Sequence, residues 1–265
     1  MPQRVLITAG AAGIGREFAR AFMANGAKVL VCDIDDKALA AISKEIPGLI
    51  TRRCDMASRA EIERMVPEAV DALGGLDVLI NNAGMAGLTL PVADYPPDDW
   101  DQVIAVNLTA MFDVSRLAIP HLKKSKAGCV INMSSIAGRY GFPNRSPYAA
   151  TKWGVIGLTK TLAMELGEWG IRANAIAPGA VEGERIVRVF QGRAQISGRS
   201  LEEVKADALA ASFEELWTIT DLEHVQIAPL ESTVARGNGS ARKRPAGAKR
   251  RPKAERLAAE HARAS

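Results

Sequence analysis

Two residues that can exchange a proton stand four positions apart in the stretch YAATK, as Tyr148 and Lys152. This spacing places both side chains on one face of a helix. An ammonium beside a phenol favours the phenolate, so the pair could donate and accept a proton near neutral pH. Ser135 precedes Tyr148 by thirteen positions, which leaves room for a loop that returns the helix to a strand end carrying the serine. For the pentapeptide alone, an exposed tyrosine and lysine on an amphipathic helix would be the simpler interpretation.

A glycine-rich turn, TAGAAGIG from Thr8 to Gly15, joins a β-branched run to a helical pattern. Without side chains, backbone N–H groups and the helix dipole can approach a pyrophosphate, although close packing of strand and helix would also explain the glycines. Asp33 follows the next β-branched run, where a carboxylate could accept hydrogen bonds from an adenosine ribose and would repel a 2′-phosphate. No basic residue stands at Ala12 or Ile34 to neutralise that phosphate. The sequence therefore favours NAD over NADP.

The elements that must position these residues alternate along the chain. Apolar β-branched runs are followed by stretches with helical periodicity, which is typical of βαβ units around a parallel sheet. The predicted strands are RVLITAG, AKVLVCD, LITRRCD, LDVLINNAG, GCVINMSS and IRANAIAPG, and the longer predicted helices cover Arg59–Leu73, Asp98–Lys124 and Tyr148–Trp169. We predict a doubly wound, Rossmann-like α/β domain.

Polar residues or glycines follow the later strands as well, at Asp55, Asn81–Gly84, Ser134–Ser135 and Pro178–Gly179. Each alone would be read as a turn residue or a helix cap. The carboxyl ends of parallel strands meet at one edge of the sheet, where ligands bind. Together these residues predict a ligand cleft at that edge.

These motifs resemble those of the short-chain dehydrogenase/reductase family over roughly Arg4 to Gly179. The glycine loop, Asp33, Asp55, NNAG, Asn107 in VNL, Ser135, Tyr148 with Lys152, and PG occur in the family's order. The resemblance implies hydride transfer between NAD(H) and a secondary alcohol or ketone. It implies that Tyr148 is the general acid/base, that Lys152 holds the nicotinamide ribose, that Ser135 orients the substrate oxygen and that Asn107 supports a proton-relay water. The implied cofactor-binding residues are Gly10, Gly13, Ile14, Gly15, Asp33, Asp55, Met56, Asn82, Ala83, Gly84, Tyr148, Lys152, Pro178, Gly179 and Val181.

The sequence departs from the family pattern at three places. Ala9 stands where the family usually has glycine, and we expect its methyl group to cost little. Gly183 stands where a threonine often contacts the cofactor. No seventh strand with a glycine-rich ending follows Phe213. We hypothesise that the chain from about Glu214 is the product of a shifted reading frame, which makes a catalytically impaired protein the alternative to an active enzyme.

Basic residues are concentrated at the carboxyl-terminal end. The chain carries a net charge of +4, with ten Lys/Arg against two Glu from Arg236 onward, so residues 1–235 are net acidic. We predict a dehydrogenase domain over 1–220, with a substrate lid at about 180–216, and a disordered basic tail over 221–265. Nucleic-acid binding through this tail is a second hypothesis. It is disfavoured because the tail has no aromatic residues on which bases could stack.

Composition disfavours several other classes of site. The three cysteines and three histidines lack metal-ligand spacing, so no metal site is predicted. No apolar run reaches the length of a membrane span, and the first residues lack the pattern of a secretory signal, so we predict a cytoplasmic protein.

The long helices suggest a homodimer, whereas a tetramer built on the family's final strand is disfavoured. In the predicted lid, Phe190 and three arginines could meet a substrate, and one arginine could contact an anionic one. We favour instead the pairing of these arginines with lid glutamates on solvated helices. The lid arginines are Arg185, Arg188 and Arg193, and the glutamates are Glu182, Glu184, Glu202 and Glu203.

Overall fold

The computed structural model describes residues 2–211, apart from the side chains of Glu184 and of residues 208–211. Its strands are β1 (Arg4–Thr8), β2 (Lys28–Asp33), β3 (Ile50–Arg53), β4 (Val78–Asn81), β5 (Cys129–Met133) and β6 (Arg172–Ile176). Its helices are α1 (Gly13–Ala24), α2 (Asp36–Glu45), α3 (Arg59–Leu73), α4 (Pro97–Ile104), α5 (Ala110–Leu122), α6 (Ser146–Leu166), α7 (Glu184–Ser197) and α8 (Leu201–Ala211).

The six strands form one parallel sheet in the order β3-β2-β1-β4-β5-β6. After β3 the chain crosses to the opposite side of β1, so the strand order reverses between β1 and β4. In an open α/β sheet, the crevice for a ligand opens at such a point, outside the carboxyl ends of the strands. The predicted doubly wound, Rossmann-like fold is confirmed.

The strands are apolar along their whole length because helices cover both faces of the sheet. Leu6 of β1 faces a core shared with α3, α5 and α6, whereas Val5 and Ile7 face the core shared with α1 and α2. All three side chains are fully buried. Phe18 and Phe22 of α1 pack into the second core, and burial of each contributes roughly 1.5–3 kcal/mol.

The helix predicted over Asp98–Lys124 is interrupted. A π-helical turn at Ala105–Thr109 separates α4 from α5. Such a turn inserts one extra residue into the helical ladder and is frequent at functional sites. Here it turns Asn107 fully into the interior.

The run Pro97–Leu122 is long and apolar enough to cross a membrane by length and composition alone, contrary to the sequence-based expectation. Val103 and Val114 are buried in the protein, and the carboxylate of Asp113 pairs with Arg59 of α3 at 2.9 Å. This run therefore packs in the protein core, and its Asp113 carboxylate is paired with Arg59 of the neighbouring helix α3.

Among the strands that the structure describes, β6 forms one edge of the sheet. The predicted lid from 180 onward contains α7 and α8. The end of that lid, the altered ending after Phe213 and the basic tail over 221–265 lie outside the described residues.

Candidate active site

Ser135 is the second residue after β5 and caps a short helical turn covering Ile136–Gly138. The turn packs tightly on α6, because a Cβ on Gly138 would lie 2.4 Å from the carbonyl oxygen of Lys152. The hydroxyl of Ser134 donates a hydrogen bond to the same carbonyl at 2.8 Å. These contacts fix the serine hydroxyl beside the helix that carries Tyr148 and Lys152.

Lys152 lies inside the protein, with 3% of its surface exposed. Its ammonium donates a hydrogen bond to the carbonyl oxygen of Met133 at 2.7 Å. Burial, and secondarily the charge of Arg185, lowers the pKa of the Lys152 ammonium to about 7. The site thus holds a cation that gives up its proton far more readily than a solvated lysine does.

Tyr148 is surrounded by cations. The distance from its ring centroid is 4.8 Å to the guanidinium carbon of Arg145, 5.6 Å to Nζ of Lys152 and 5.8 Å to the guanidinium carbon of Arg185. Tyr148, Lys152 and Ser135 line a single cavity of about 360 Å³. The structure therefore brings three of the four predicted catalytic side chains to one place at the carboxyl edge of the sheet.

Asn107 reaches this region from the π-helical turn. Its side-chain oxygen accepts a hydrogen bond from the backbone N–H of Met85 at 2.7 Å, and its amide donates to the carbonyl of Met85 and the hydroxyl of Thr151. A Cβ on Gly84 would lie 3.3 Å from Oδ1 of Asn107 and 3.4 Å from Nζ of Lys152. Asn107 is therefore a close neighbour of the buried ammonium.

The glycines of the first loop serve two purposes. A Cβ on Gly10 would lie 2.6 Å from Val31, and one on Gly15 would lie 2.3 Å from the carbonyl oxygen of Ala9, so both permit close packing. Gly13 has φ 53°, and a Cβ there would face open space. Gly10 and Gly15 therefore fit the interpretation of close strand–helix packing, whereas Gly13 fits that of an open approach for a phosphate.

Ala9 adopts the left-handed conformation with φ 49°. For a residue with a Cβ this conformation costs roughly 1–2 kcal/mol relative to its preferred conformations. The expectation that Ala9 in place of glycine costs little is therefore wrong.

Ala83 is buried and its backbone N–H donates to the hydroxyl of Thr8. Apart from it and Asp33, the remaining predicted cofactor residues fall into two groups. Ile14, Asn82, Pro178, Gly179 and Val181 line the cavity that contains Tyr148. Asn82 also fastens the glycine loop, because its amide donates to the carbonyls of Thr8 and Ala9. Asp55 and Met56 follow β3, which lies at the opposite edge of the sheet from β6. They do not line this cavity.

Two features of the site were not found from the sequence. Arg145 is only 2% exposed and lines the cavity, although a lone arginine before SPYAATK carries no signal of burial. A buried hydrogen-bond network also connects the strands to α5 and α6 beneath the site. Its side chains are Ser115, Asn81, Asn132 and Thr159.

Arg185 and Arg188 are exposed, in line with the favoured prediction of solvated lid arginines, whereas Arg193 is half-buried. None of the three forms an ion pair with a glutamate whose side chain the structure describes. Arg185 and Arg193 line the cavity with Phe190, and Arg185 also lines a neighbouring cavity with Arg188. Glu202 pairs with Lys205, and Glu203 bonds to Ser200, so neither neutralises the cavity. These glutamates therefore bond to partners in α8 and at the residue before it.

A parallel sheet whose carboxyl edge holds a glycine loop and a serine, a tyrosine and a lysine around one cavity defines a Rossmann-type oxidoreductase. The sequence profile of the short chain dehydrogenase family matches residues 3–193, and the chain belongs to that family.

Individual relatives support the same class. The chain is 37% identical over 206 residues to D-beta-hydroxybutyrate dehydrogenase of Cupriavidus necator, covering 76% of this chain and 80% of the relative. It is 41% identical to 3-oxoacyl-[acyl-carrier-protein] reductase FabG of Thermotoga maritima, covering 67% and 73%. The crystal structure of NAD+-bound xylitol dehydrogenase superposes with a TM-score of 0.77 at 28% identity, covering 82% and 87%. The protein is thus an oxidoreductase whose relatives act on alcohols and carbonyl compounds.

Proposed function

We propose that this protein is an NAD-dependent dehydrogenase/reductase that interconverts a secondary alcohol and a ketone. The observation that carries the proposal is the single cavity lined by Ser135, Tyr148 and Lys152. The names of the relatives, two dehydrogenases and a 3-oxoacyl reductase, support a hydroxyl or carbonyl group as the reacting centre.

The residues of the cavity divide the work by their chemistry. A bound nicotinamide dinucleotide supplies the ring carbon that exchanges a hydride with the substrate carbon. Ser135 donates a hydrogen bond to the substrate oxygen and orients it. In the oxidative direction the phenolate of Tyr148 accepts the alcohol proton, and in the reductive direction the phenol returns a proton to the oxygen. Proton transfer of this kind contributes roughly 10²–10⁴-fold to the rate.

Lys152 and Asn107 support that proton transfer. A protonated Lys152 stabilises the phenolate because its ammonium lies near the ring of Tyr148 in a desolvated site. It is also the group we assign to the ribose of the cofactor. Asn107, beside Lys152, is the residue that we assign to holding the water of a proton relay.

The first loop fits a dinucleotide phosphate. Ala12 precedes α1 and provides no side-chain cap, so the first N–H groups of the helix are left for another acceptor. Gly13 leaves space in front of them. An anion placed there gains the hydrogen bonds and the favourable end of the helix dipole.

Asp33 is the basis for proposing NAD rather than NADP. Its carboxylate accepts hydrogen bonds from the N–H groups of Ala11 and Asp35, both at 3.2 Å, which places it beside the glycine loop. Arg53 lies next to it across β2 and β3, but that guanidinium pairs with Asp36 and Glu61. A 2′-phosphate would therefore meet a negative charge.

A titration with NADH and NADPH tests this proposal. We expect NADH to bind at least roughly fivefold more tightly, since repulsion of about 1 kcal/mol or more separates the two cofactors. Asp33→Asn removes the charge but retains an oxygen acceptor, and should bring the two dissociation constants close together. Asp71→Asn, which removes an exposed carboxylate of α3 that does not pair with Arg53, should leave the preference unchanged. Equal or tighter binding of NADPH by the unaltered protein would refute the NAD assignment.

We also propose that the protein is a homodimer joined through α5 and α6. These helices expose large apolar side chains: Phe112 is 49% exposed, Trp153 52% and Met164 84%. Relatives in this family are commonly oligomeric.

We also propose a cytoplasmic location. The support for it is that the three cysteines are buried free thiols, as is usual in a reducing compartment.

The dimer is tested by placing a charge on the exposed apolar face of α5 and α6. Phe112→Glu should shift the protein from dimer to monomer in analytical ultracentrifugation, because a carboxylate would be buried without a partner. Val92→Glu introduces the same charge at a residue that is 74% exposed outside these helices, and should remain dimeric. An unaltered dimer in Phe112→Glu would argue against this interface.

A further inference from the structure

The cavity around Tyr148 carries an excess of positive charge. Its lining includes Arg145, Lys152, Arg185 and Arg193 but no aspartate or glutamate among the described residues. Each of these cations lies close to an aromatic ring of the cavity: three near Tyr148, and Arg193 at 4.7 Å from the ring centroid of Phe142. Lys152 is assigned to the Tyr148 phenolate, so a neutral substrate would leave the three arginines without an anionic partner from the substrate.

Arg145 is the least solvated of the three arginines. One terminal nitrogen donates to the carbonyl oxygen of Ala86 at 2.8 Å. Its Nε is buried and, within the part of the chain that the structure describes, has no hydrogen-bond partner. Burial and the neighbouring charges of Arg185 and Arg193 lower its pKa to about 10. A buried donor without a partner costs stability, so a ligand that accepts from it is expected.

Three acidic residues of the lid are committed to local partners, and Glu182 is exposed without an ion pair among the described side chains. Glu202 and Glu203 bond within α8 and its cap, and Asp207 pairs with Arg199. Asp99 lines the neighbouring cavity, which Arg185 also lines, but forms no ion pair with it. Among the residues with described side chains, no carboxylate lies within 4 Å of the charged nitrogens of Arg145, Arg185 or Arg193.

We propose that Arg145, Arg185 and Arg193 bind a carboxylate of the substrate, which makes the substrate a short oxo acid or its hydroxy acid. This inference rests on the proposed function, because it places the anion relative to Tyr148. Guanidinium groups bind carboxylates through paired, charge-assisted hydrogen bonds.

The distances set the length of that acid. Two guanidinium carbons lie within 5.8 Å of the Tyr148 ring centroid, so an anion that they bind is only a few bonds from the oxygen that Tyr148 protonates. The phosphate of a long carrier arm would lie much farther from its reacting carbonyl. A carboxylate one to three carbons from the ketone fits both constraints.

Matched acids and esters test the proposal. Reduction of 2-oxobutanoate, 3-oxobutanoate and 4-oxopentanoate with NADH is compared with reduction of their methyl esters, which lack the charge. We expect at least one acid to exceed its ester by tenfold or more in kcat/KM. Arg193→Gln should lower kcat/KM for that acid by roughly 10–100-fold, chiefly through KM, and for the ester by less than about threefold.

Arg188→Gln is the matched control, because Arg188 lies on the same helix but lines the neighbouring cavity. It should leave both substrates unaffected. Esters reduced as well as acids in every pair would overturn the proposal. So would an equal loss for acid and ester in Arg193→Gln, which would mean that the arginines act on Tyr148 rather than on the substrate.

A binding experiment separates this proposal from the proposed function. The fluorescence of the NADH complex is titrated with butanoate and with inorganic phosphate, at constant ionic strength maintained with chloride. Butanoate binding that weakens about tenfold in Arg193→Gln supports a carboxylate site even if no ketone is reduced. Tighter binding of phosphate than of butanoate overturns it. Reduction of neutral ketones without any advantage for acids would leave the enzyme intact and refute only the carboxylate site.

Discussion

Tyr148→Phe is expected to reduce kcat by roughly 10²–10⁴-fold in both directions of the reaction. The substitution removes one oxygen atom and leaves the ring among Arg145, Lys152 and Arg185, so packing and local charge are preserved. What is lost is the group that exchanges a proton with the substrate oxygen. The measurement is steady-state turnover of the best alcohol or ketone, alongside the dissociation constant of NADH.

Tyr140→Phe provides the comparison for that experiment. Tyr140 lines the same cavity, yet its side chain is 65% exposed and lies outside the Ser135–Tyr148–Lys152 group. It should retain nearly full activity. NADH affinity should change by less than about threefold in both variants, since Tyr148→Phe removes at most one of many predicted cofactor contacts and Tyr140 is not among them. Retention of more than a tenth of the activity in Tyr148→Phe would exclude this residue as the general acid/base.

The alternation of strands and helices could be predicted because it depends on local pattern. The run KVLVCD is apolar since both faces of β2 are covered, and α3 was predicted at its observed bounds because Ser58 caps its start and Gly74 ends it. The π-helical turn at 105–109 could not be predicted. It is stabilised by the contacts of Asn107 with Met85 and Thr151, which are distant in sequence.

The same division applies to the site. Tyr148 and Lys152 could be paired from sequence because a four-residue spacing on a helix fixes their relation. The role of Arg145 depends on burial against the Ala86 carbonyl, and the strain at Ala9 depends on a backbone angle. Neither burial nor a backbone angle can be inferred from the residue type alone. The lid arginines could be recognised from the sequence. Which cavity each of them lines could not be predicted, because that depends on how α7 packs.

Burying the charged ammonium of Lys152, which we assign to catalysis, lowers the stability of the folded protein. This ammonium is almost wholly desolvated and makes one hydrogen bond to the carbonyl of Met133. The folded protein therefore disfavours the charged form, and the pKa falls from 10.5 to about 7. Between these two values the unfolded chain binds more protons than the folded one. Through proton linkage, the contribution of this residue to the free energy of unfolding rises with pH in that window.

Lys152→Met should therefore abolish activity and change the pH dependence of stability. Activity should fall by at least roughly a hundredfold, since the cation beside the phenolate is lost. Below pH 7 the wild type carries the full cost of a buried charge, so the variant should have its greatest relative stability there. From pH 6 to pH 9 the wild type should gain roughly 2–3 kcal/mol on the variant as Lys152 loses its proton in the folded state.

Urea unfolding of both proteins at pH 6 and pH 9, without added cofactor, measures this difference. Lys160→Met provides the control, because it removes a lysine from an exposed position on the same helix and should show no pH-dependent difference from the wild type. A constant difference between Lys152→Met and the wild type at the two pH values would show that Lys152 stays charged throughout. In that case the cation beside Tyr148 would be permanent, and the pH profile of the reaction would have to arise from the tyrosine or the substrate alone.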